Sequence, residues 1–242
     1  MDPIRRFPWL GIATLLPALA GGCDPEDSDE TGDSDEPAAW TCGEDLEDER
    51  DGAVYRTVVV GTQCWLGENM NLGTMIESTA SGSLAHDDGV VEKYCWDDVA
   101  AECDGTGDMK RGGFYEWQEA LQDWSGESTL PVQGICPAGF HLPSREEWDV
   151  LVDLFGGTSQ APARLAAGGD SGFEALMTGY RCTMSGGFRP SAMSAATMTY
   201  FWTTEGSASG VWLWEVGETS MQTFAFEASL GLSVRCVGDA VP

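Results

Sequence analysis

Apolar and polar positions along the chain fall into patterns of two periods. From Val54 to Val60 the residues are mostly β-branched or aromatic, with Asp51-Gly52 before them and Gly61-Thr62 after. Gln63-Cys64-Trp65-Leu66 resumes the run, which predicts strand, tight turn, strand. From Phe114 to Trp124 the apolar residues 114, 117, 121 and 124 step by three and four, the period of an amphipathic helix. A second helix is marked at both ends. Ser144-Arg-Glu-Glu147 reads as a capping box, Trp148, Leu151, Val152 and Phe155 follow at helical spacing, and Gly156-Gly157 closes the run.

The last third changes period. Tyr200–Thr204, Val211–Val216, Met221–Phe226 and Leu232–Val237 are short β-type runs separated by Gly or Ser turns. Between Gly156 and Tyr200 lies a Gly/Ser/Met-rich stretch with little periodicity. A hairpin, two helices, an irregular segment and then an antiparallel sheet is the order of an α+β domain.

The N-terminus carries a different signal. Arg5 and Arg6 precede an apolar run, Phe7 to Ala20, followed by Gly21-Gly22-Cys23. A basic start, an apolar stretch too short to span a bilayer and small residues at the cut site make an export signal over residues 1–22. Small residues directly before a Cys resemble the lipobox of bacterial lipoproteins, so Cys23 is the expected lipidation site and the chain's membrane anchor. Arg5-Arg6 alone is weak evidence for a twin-arginine signal. Residues 23–47 are expected to form an acidic disordered tether, and residues 48–242 the folded domain. From Asp24 to Asp51 there are 14 acidic residues and one basic, too little apolar surface to offset ordering entropy.

Composition sharpens what the partners are not. The 242 residues hold 40 acids and 12 bases, a net charge of −28. That charge argues against DNA, RNA or bare anionic lipid as a surface partner. Ten tryptophans argue for a packed core. Eight cysteines in an exported chain predict disulfides. Cys95 and Cys103 enclose a short acidic loop and are the easiest local pair. Cys136 and Cys236 flank most of the C-terminal half, and Cys42 with Cys64 would pin the tail to the first strands. Cys182 is then the odd one. No CxxC or Cys/His spacing suggests zinc.

Several blocks, in order, resemble one family. Asp51-Gly-Ala-Val-Tyr55, Val58-Val-Val-Gly-Thr-Gln-Cys-Trp65 and Glu68-Asn-Met-Asn71 open it. Tyr94-Cys95 with Cys103, Gly113-Phe-Tyr-Glu-Trp117, Gly134 through Ser144 and Glu147-Trp148 continue it. Gly172-Phe-Glu-Ala-Leu176, Gly179-Tyr-Arg181, Phe201-Trp-Thr-Thr-Glu205 and Ser233-Val-Arg-Cys236 complete it. From about residue 48 to 238 the chain resembles the Fibrobacter succinogenes major paralogous domain. It departs at Phe140, where Trp is usual, at Met177-Thr178, where Pro-Ala is common, and in the added Cys182. The resemblance implies a secreted or surface bacterial protein whose molecular function is not established. It also implies a C-type-lectin-like fold, in which a twisted antiparallel sheet has two flanking helices and a long irregular loop region. A Cys136–Cys236 pair would match that fold's long bridge.

The candidate chemistry is sparse. Calcium-dependent lectins carry Glu-Pro-Asn or Gln-Pro-Asp and Trp-Asn-Asp, and none of these occurs. The acidic residues around the Cys95–Cys103 loop, Asp97, Asp98, Glu102, Asp104 and Asp108, are candidate Ca²⁺ ligands by oxygen chemistry, without a specific motif; no other cofactor is expected. Formylglycine-generating enzymes, of the same fold, need a cysteine pair near the C-terminus, and here Cys236 is the disulfide candidate. Neither His86 nor His141 is placed to activate Cys182. Glu146 and Glu147 point to different helix faces, and no phosphate loop or nucleophile elbow is visible. A non-enzyme is therefore expected. Trp212 and Trp214 share one strand face, and Tyr200 and Trp202 offer a similar aromatic set; they either enter the core or form a binding platform. The expectation is an exported, lipid-anchored envelope protein that binds an unknown glycan or protein, on the outer membrane or cell surface rather than the inner membrane. A purely structural surface protein is the alternative, and an enzyme ranks last.

Overall fold

Strand β1 (Asp45–Asp48) pairs antiparallel with β2 (Ala53–Val60), which pairs in turn with β3 (Gln63–Leu66). The structure, a computed structural model, describes residues 40–78, 86–105, 110–123, 129–190 and 197–238. On β2, Tyr55, Thr57 and Val60 are buried while Val54, Arg56 and Val59 are exposed, the alternation of a sheet with one face in the core. The predicted hairpin is present, with Val58 opposite Trp65.

The predicted tether needs correction at its C-terminal end. Residues 45–47 belong to β1, Cys42 is bonded to Cys64, and Trp40 stacks on Phe140 with ring centroids 4.5 Å apart. Asp48 is buried because Arg50 grips both its oxygens, at 2.8 and 2.6 Å, and also donates to the Ile135 carbonyl at 2.8 Å. The folded domain thus reaches back to Trp40. Gly139 and Gly238 face the Trp40 ring so closely that a Cβ at either would strike it. The rest of the tether and Cys23 lie outside the described residues.

After β3 come β4 (Thr74–Met75) and β5 (Glu92–Lys93), paired in parallel, then two five-residue helices, α1 (Ala100–Asp104) and α2 (Trp117–Leu121). The helix expected from Phe114 begins three residues late. Phe114 and Tyr115 are extended instead, because their backbones exchange hydrogen bonds with Tyr94 and Leu232; Trp124 lies outside the described residues. Beyond β6 (Phe140–His141), α3 (Arg145–Leu154) carries the predicted capping box: Ser144 Oγ accepts from the Glu147 N–H, and the Glu147 carboxylate accepts from the Ser144 N–H at 2.7 Å. The stretch read as irregular holds α4 (Ala161–Leu165) and the pair β7 (Tyr180–Arg181) and β8 (Phe188–Arg189). The two predicted helices are therefore joined by two further short ones.

Three long strands form a second antiparallel sheet: β9 (Met198–Ser207), β10 (Gly210–Gly217) and β11 (Met221–Phe226), in the order β11-β10-β9. The last run, expected as one strand from Leu232, narrows to β12 (Val237–Gly238), which sits between β3 and β6. Just before it the chain meets a new neighbour at nearly every residue. Gly231 exchanges bonds with Arg181, Leu232 with Tyr115 and Ser233 with the Tyr200–Trp202 segment, while Val234 accepts from Met70 and Cys236 from Leu66. A segment shared among so many partners cannot keep one strand mate, which is why the predicted strand breaks up. The result is a mixed α+β domain, mostly strand.

Arg235, in this same segment, is almost wholly buried. Its guanidinium donates to Asn69 Oδ1 from Nε (3.1 Å) and Nη2 (2.7 Å) and to the carbonyls of Leu66 and Phe173, and it lies 4.3 Å over the Phe173 ring. Burial lowers its pKa to about 9. Neutral acceptors and an aromatic face therefore hold this cation in place.

Candidate functional site

Side chains directly opposite in antiparallel strands share a face. Leu213 stands opposite Trp202 and Phe224, Glu215 opposite Tyr200 and Gln222, and Val211 opposite Phe226. Phe201, Trp214, Val216 and Met221 point to the other face, where α3 covers them. On the first face Trp202 and Leu213 are buried, but the covering layer is incomplete. There Tyr180, Tyr200, Phe224 and Phe226 surround an apolar groove of about 170 Å³ floored by Leu213 and Leu232. Tyr180 meets Tyr200 edge-on at 5.2 Å, and Phe224 meets Phe226 edge-on at 6.4 Å. Phe226 is 44% exposed.

The groove's chemistry is contact chemistry. Its ionisable walls are two phenols, and burial, aided for Tyr200 by the neighbouring Glu215 carboxylate, pushes both up. The Tyr200 hydroxyl donates to Met198 Sδ at 3.3 Å, and Glu215 accepts from Gln222 Nε2 at 2.8 Å. Among the described residues, its lining is these two phenols and five hydrocarbon side chains. Aromatic walls over an apolar floor suit a sugar face or an apolar side chain.

The predicted aromatic set does not assemble. Tyr200 lines the groove, but Trp202 is fully buried and its indole donates to the Tyr115 carbonyl at 2.8 Å. Trp214 is packed against Trp148 on the opposite face, and Trp212 shares that face, half-buried under the Arg145 guanidinium at 3.9 Å. Trp202 and Trp214 are thus core residues, each packed into the buried cluster on its own face of the sheet. Phe224 and Phe226 were readable as an i, i+2 pair in Met221–Phe226; Tyr180 lay in the stretch without periodicity.

The acidic loop also differs from expectation. Glu102 is paired with Arg111 at 2.9 Å, and Asp98 accepts from the Ser78 N–H at 2.8 Å. Asp97 and Asp98 are exposed and adopt left-handed backbone, Asp104 closes α1, and Asp108 lies outside the described residues. Among the described residues, no three of His, Cys, Asp and Glu are grouped to hold a metal ion. Among the described residues the loop does not gather its carboxylates into a Ca²⁺ site; Glu102 and Asp98 are committed to Arg111 and Ser78.

All three expected disulfides are formed: Cys42–Cys64, Cys95–Cys103 and Cys136–Cys236. Cys182 is a half-buried free thiol. Burial pushes it up, but hydrogen bonds from Ser185 and Met184 and the charge of Arg189 outweigh that and hold it below the ordinary value. It lines neither the groove nor the clefts described next.

One other cleft contains side chains of catalytic type. His141, Ser144, Glu147 and Thr204 border about 310 Å³ beside the start of α3. His141 Nε2 lies 2.8 Å from Glu147 Oε1, and Ser144 Oγ lies 2.8 Å from Glu147 Oε2. Glu147 takes the two on separate oxygens, His141 on Oε1 and Ser144 on Oε2, an order different from a relay in which the base joins the hydroxyl to the acid. Burial pushes the Glu147 carboxyl up, yet hydrogen bonds from His141 and Ser144 prevail and hold it below the usual range. This cluster fastens β6 to the helix cap. A third cleft, of about 280 Å³, is bordered by Arg56, Glu68 and Asn69 above the buried Arg235. Arg56 is already paired with Glu68 at 2.7 Å.

No curated protein and no solved structure matches the chain. A family model does, over residues 58–238, which take in the groove, both clefts apart from Arg56, and the whole second sheet. The chain belongs to the Fibrobacter succinogenes major domain family.

Proposed function

We propose that this is an exported, lipid-anchored cell-envelope protein whose domain is a non-catalytic binding or adhesion module, taking a glycan or a protein at the groove walled by Tyr180, Tyr200, Phe224 and Phe226. The observation that carries the reading is an open aromatic groove on a sheet whose Phe201, Trp202 and Trp214 are buried. An unfilled apolar recess in an otherwise closed core is a natural ligand seat. The export signal, the Ala20-Gly21-Gly22-Cys23 site and the acidic stretch after it support the anchor and the spacer. A C-type-lectin-like fold is supported by the N-terminal hairpin pairing with the last strand and by the Cys136–Cys236 bridge to the region before α3.

The full chain, expressed in a bacterial host fed an alkyne-tagged fatty acid, tests the anchor. Label should enter the wild type and be absent from Cys23→Ala; equal labelling would defeat it. An immobilised panel of glycans and peptides tests the groove. Phe226→Ala should weaken any saturable binding by roughly tenfold, the order expected for one aromatic contact residue. Binding indifferent to Phe226→Ala and Tyr180→Ala would move the ligand elsewhere.

A further inference from the structure

The groove ends at an open sheet edge. β11 is the outermost strand of its sheet. Its Met221 N–H points away from β10 and donates to the Thr158 carbonyl at 3.0 Å. Antiparallel ladders alternate inward and outward groups, so Thr223 and Ala225 also direct their N–H and C=O outward. Among the described residues no strand pairs with them. Unpaired backbone groups beside an apolar recess form a template for an added strand.

The surrounding charge selects the strand. Exposed Glu218 stands in the turn before β11 and exposed Glu227 directly after it, with Glu215 on the groove face of β10. The exposed Arg189 stands opposite Tyr180 on β8, at the β9 side of the groove and away from the free edge. The chain as a whole carries −28. Complementary charge would both draw a basic segment in and fix its register. On an added strand, every second side chain would fall on the groove face next to Phe224 and Phe226.

We infer that β11 and the groove bind an extended segment of another protein by strand addition. The segment has about five residues with apolar side chains at alternate positions, and a Lys or Arg flanks it at each end. This inference rests on the groove being the ligand site, and it names the ligand class.

The test uses the full-length protein in detergent and a pool of labelled peptides of the form Lys-X-Thr-X-Thr-X-Lys, with X as Val, Ile, Leu or Phe, read by fluorescence anisotropy. Each binder is remade with N-methyl groups on the amides of one strand edge or of the other. Strand addition predicts that one methylated form loses binding and its mirror keeps it. Replacing the terminal Lys by Glu should weaken binding, and so should raising the salt. Phe226→Ala should cost roughly tenfold, and Thr223→Pro, which removes an outward N–H, should abolish binding. If Thr223→Pro fails to fold, the methylated peptides decide the matter on the unaltered protein. Equal affinity for both methylated forms, or no binding by any member of the pool, overturns the inference. In the second case, glycan binding that still depends on Phe226 would leave the groove as the ligand site, whereas its absence too would remove both.

Discussion

The two faces of the β9–β10–β11 sheet are built from the same stretch of chain and are closed in different ways. The face under α3 is sealed by rings: Trp148 lies within about 5–6 Å of Trp65, Phe173, Phe201 and Trp214, and no cysteine belongs to that cluster. The other face holds Trp202, Leu213 and Tyr115, opens at the groove, and includes or abuts both long-range disulfides, Cys42–Cys64 and Cys136–Cys236. Where a helix completes the packing, burial alone suffices. Where a recess is left, covalent links restrain the chain that would otherwise be free to open.

That contrast can be broken by mutation. The largest effect belongs to the paired change Cys136→Ser and Cys236→Ser, which opens a loop of 100 residues. The chain-entropy model gives a loss of about 4–5 kcal/mol, measurable by urea unfolding, and a loss below ~1 kcal/mol would refute the idea that cross-links stand in for packing on this face. Trp148→Ala on the sealed face should cost about 3–5 kcal/mol. Its cost should be the same with or without the Cys136–Cys236 bridge if the two faces are independent. Phe226→Ala, at the rim of the groove, should change stability by no more than about 0.5 kcal/mol, so any binding defect it shows is a defect of the surface.

Acid separates the faces by sign. Glu119 on α2 packs toward the groove-side cluster, and burial, with the charges of Glu92 and Asp88, raises its pKa. One of its oxygens and one of Glu92's are buried without a hydrogen-bond partner among the described residues. The folded chain therefore takes up this proton before the unfolded chain does, and stability grows as pH falls through the raised value. Glu147 on α3 is held below the usual range, so its contribution is present above the ordinary glutamate pKa and is lost as pH falls through the folded value. Thermal melts should show Glu119→Gln stabilising at neutral pH, with the gain shrinking in acid. Glu147→Gln should destabilise at neutral pH, with the loss shrinking in acid.

Local signals were readable and shared ones were not. The β2–β3 hairpin and the α3 cap are each encoded within a few residues, as Gly61-Thr62 between β-branched runs and as Ser144 with Glu147. Position along the chain suggested the three disulfide pairs without fixing them, since spacing alone leaves connectivity open. β1 was hidden because Asp45-Leu-Glu-Asp48 looks like the acidic spacer before it; what orders it is an Arg50 clamp, a disulfide and Trp40, all tertiary. Phe114 and Tyr115 fit a helical period yet are extended, since Tyr94 and Leu232 claim their backbone groups. The groove needed the register of three strands and Tyr180 from a distant hairpin, which no single window of sequence contains.

Trp40 has a mechanical consequence. Its ring rests on Phe140 and is met by Gly139 and Gly238, so the chain's entry into the domain and its final strand share one spot. Two residues on, the Cys42–Cys64 bond carries any tension from the N-terminal side straight into β3, which lies between β2 and β12. A pull on that side would be borne by a covalent bond at the middle of the sheet, and the β1–β2 hydrogen bonds would be spared the load. Reduced, the same domain would unzip from its edge, one strand at a time.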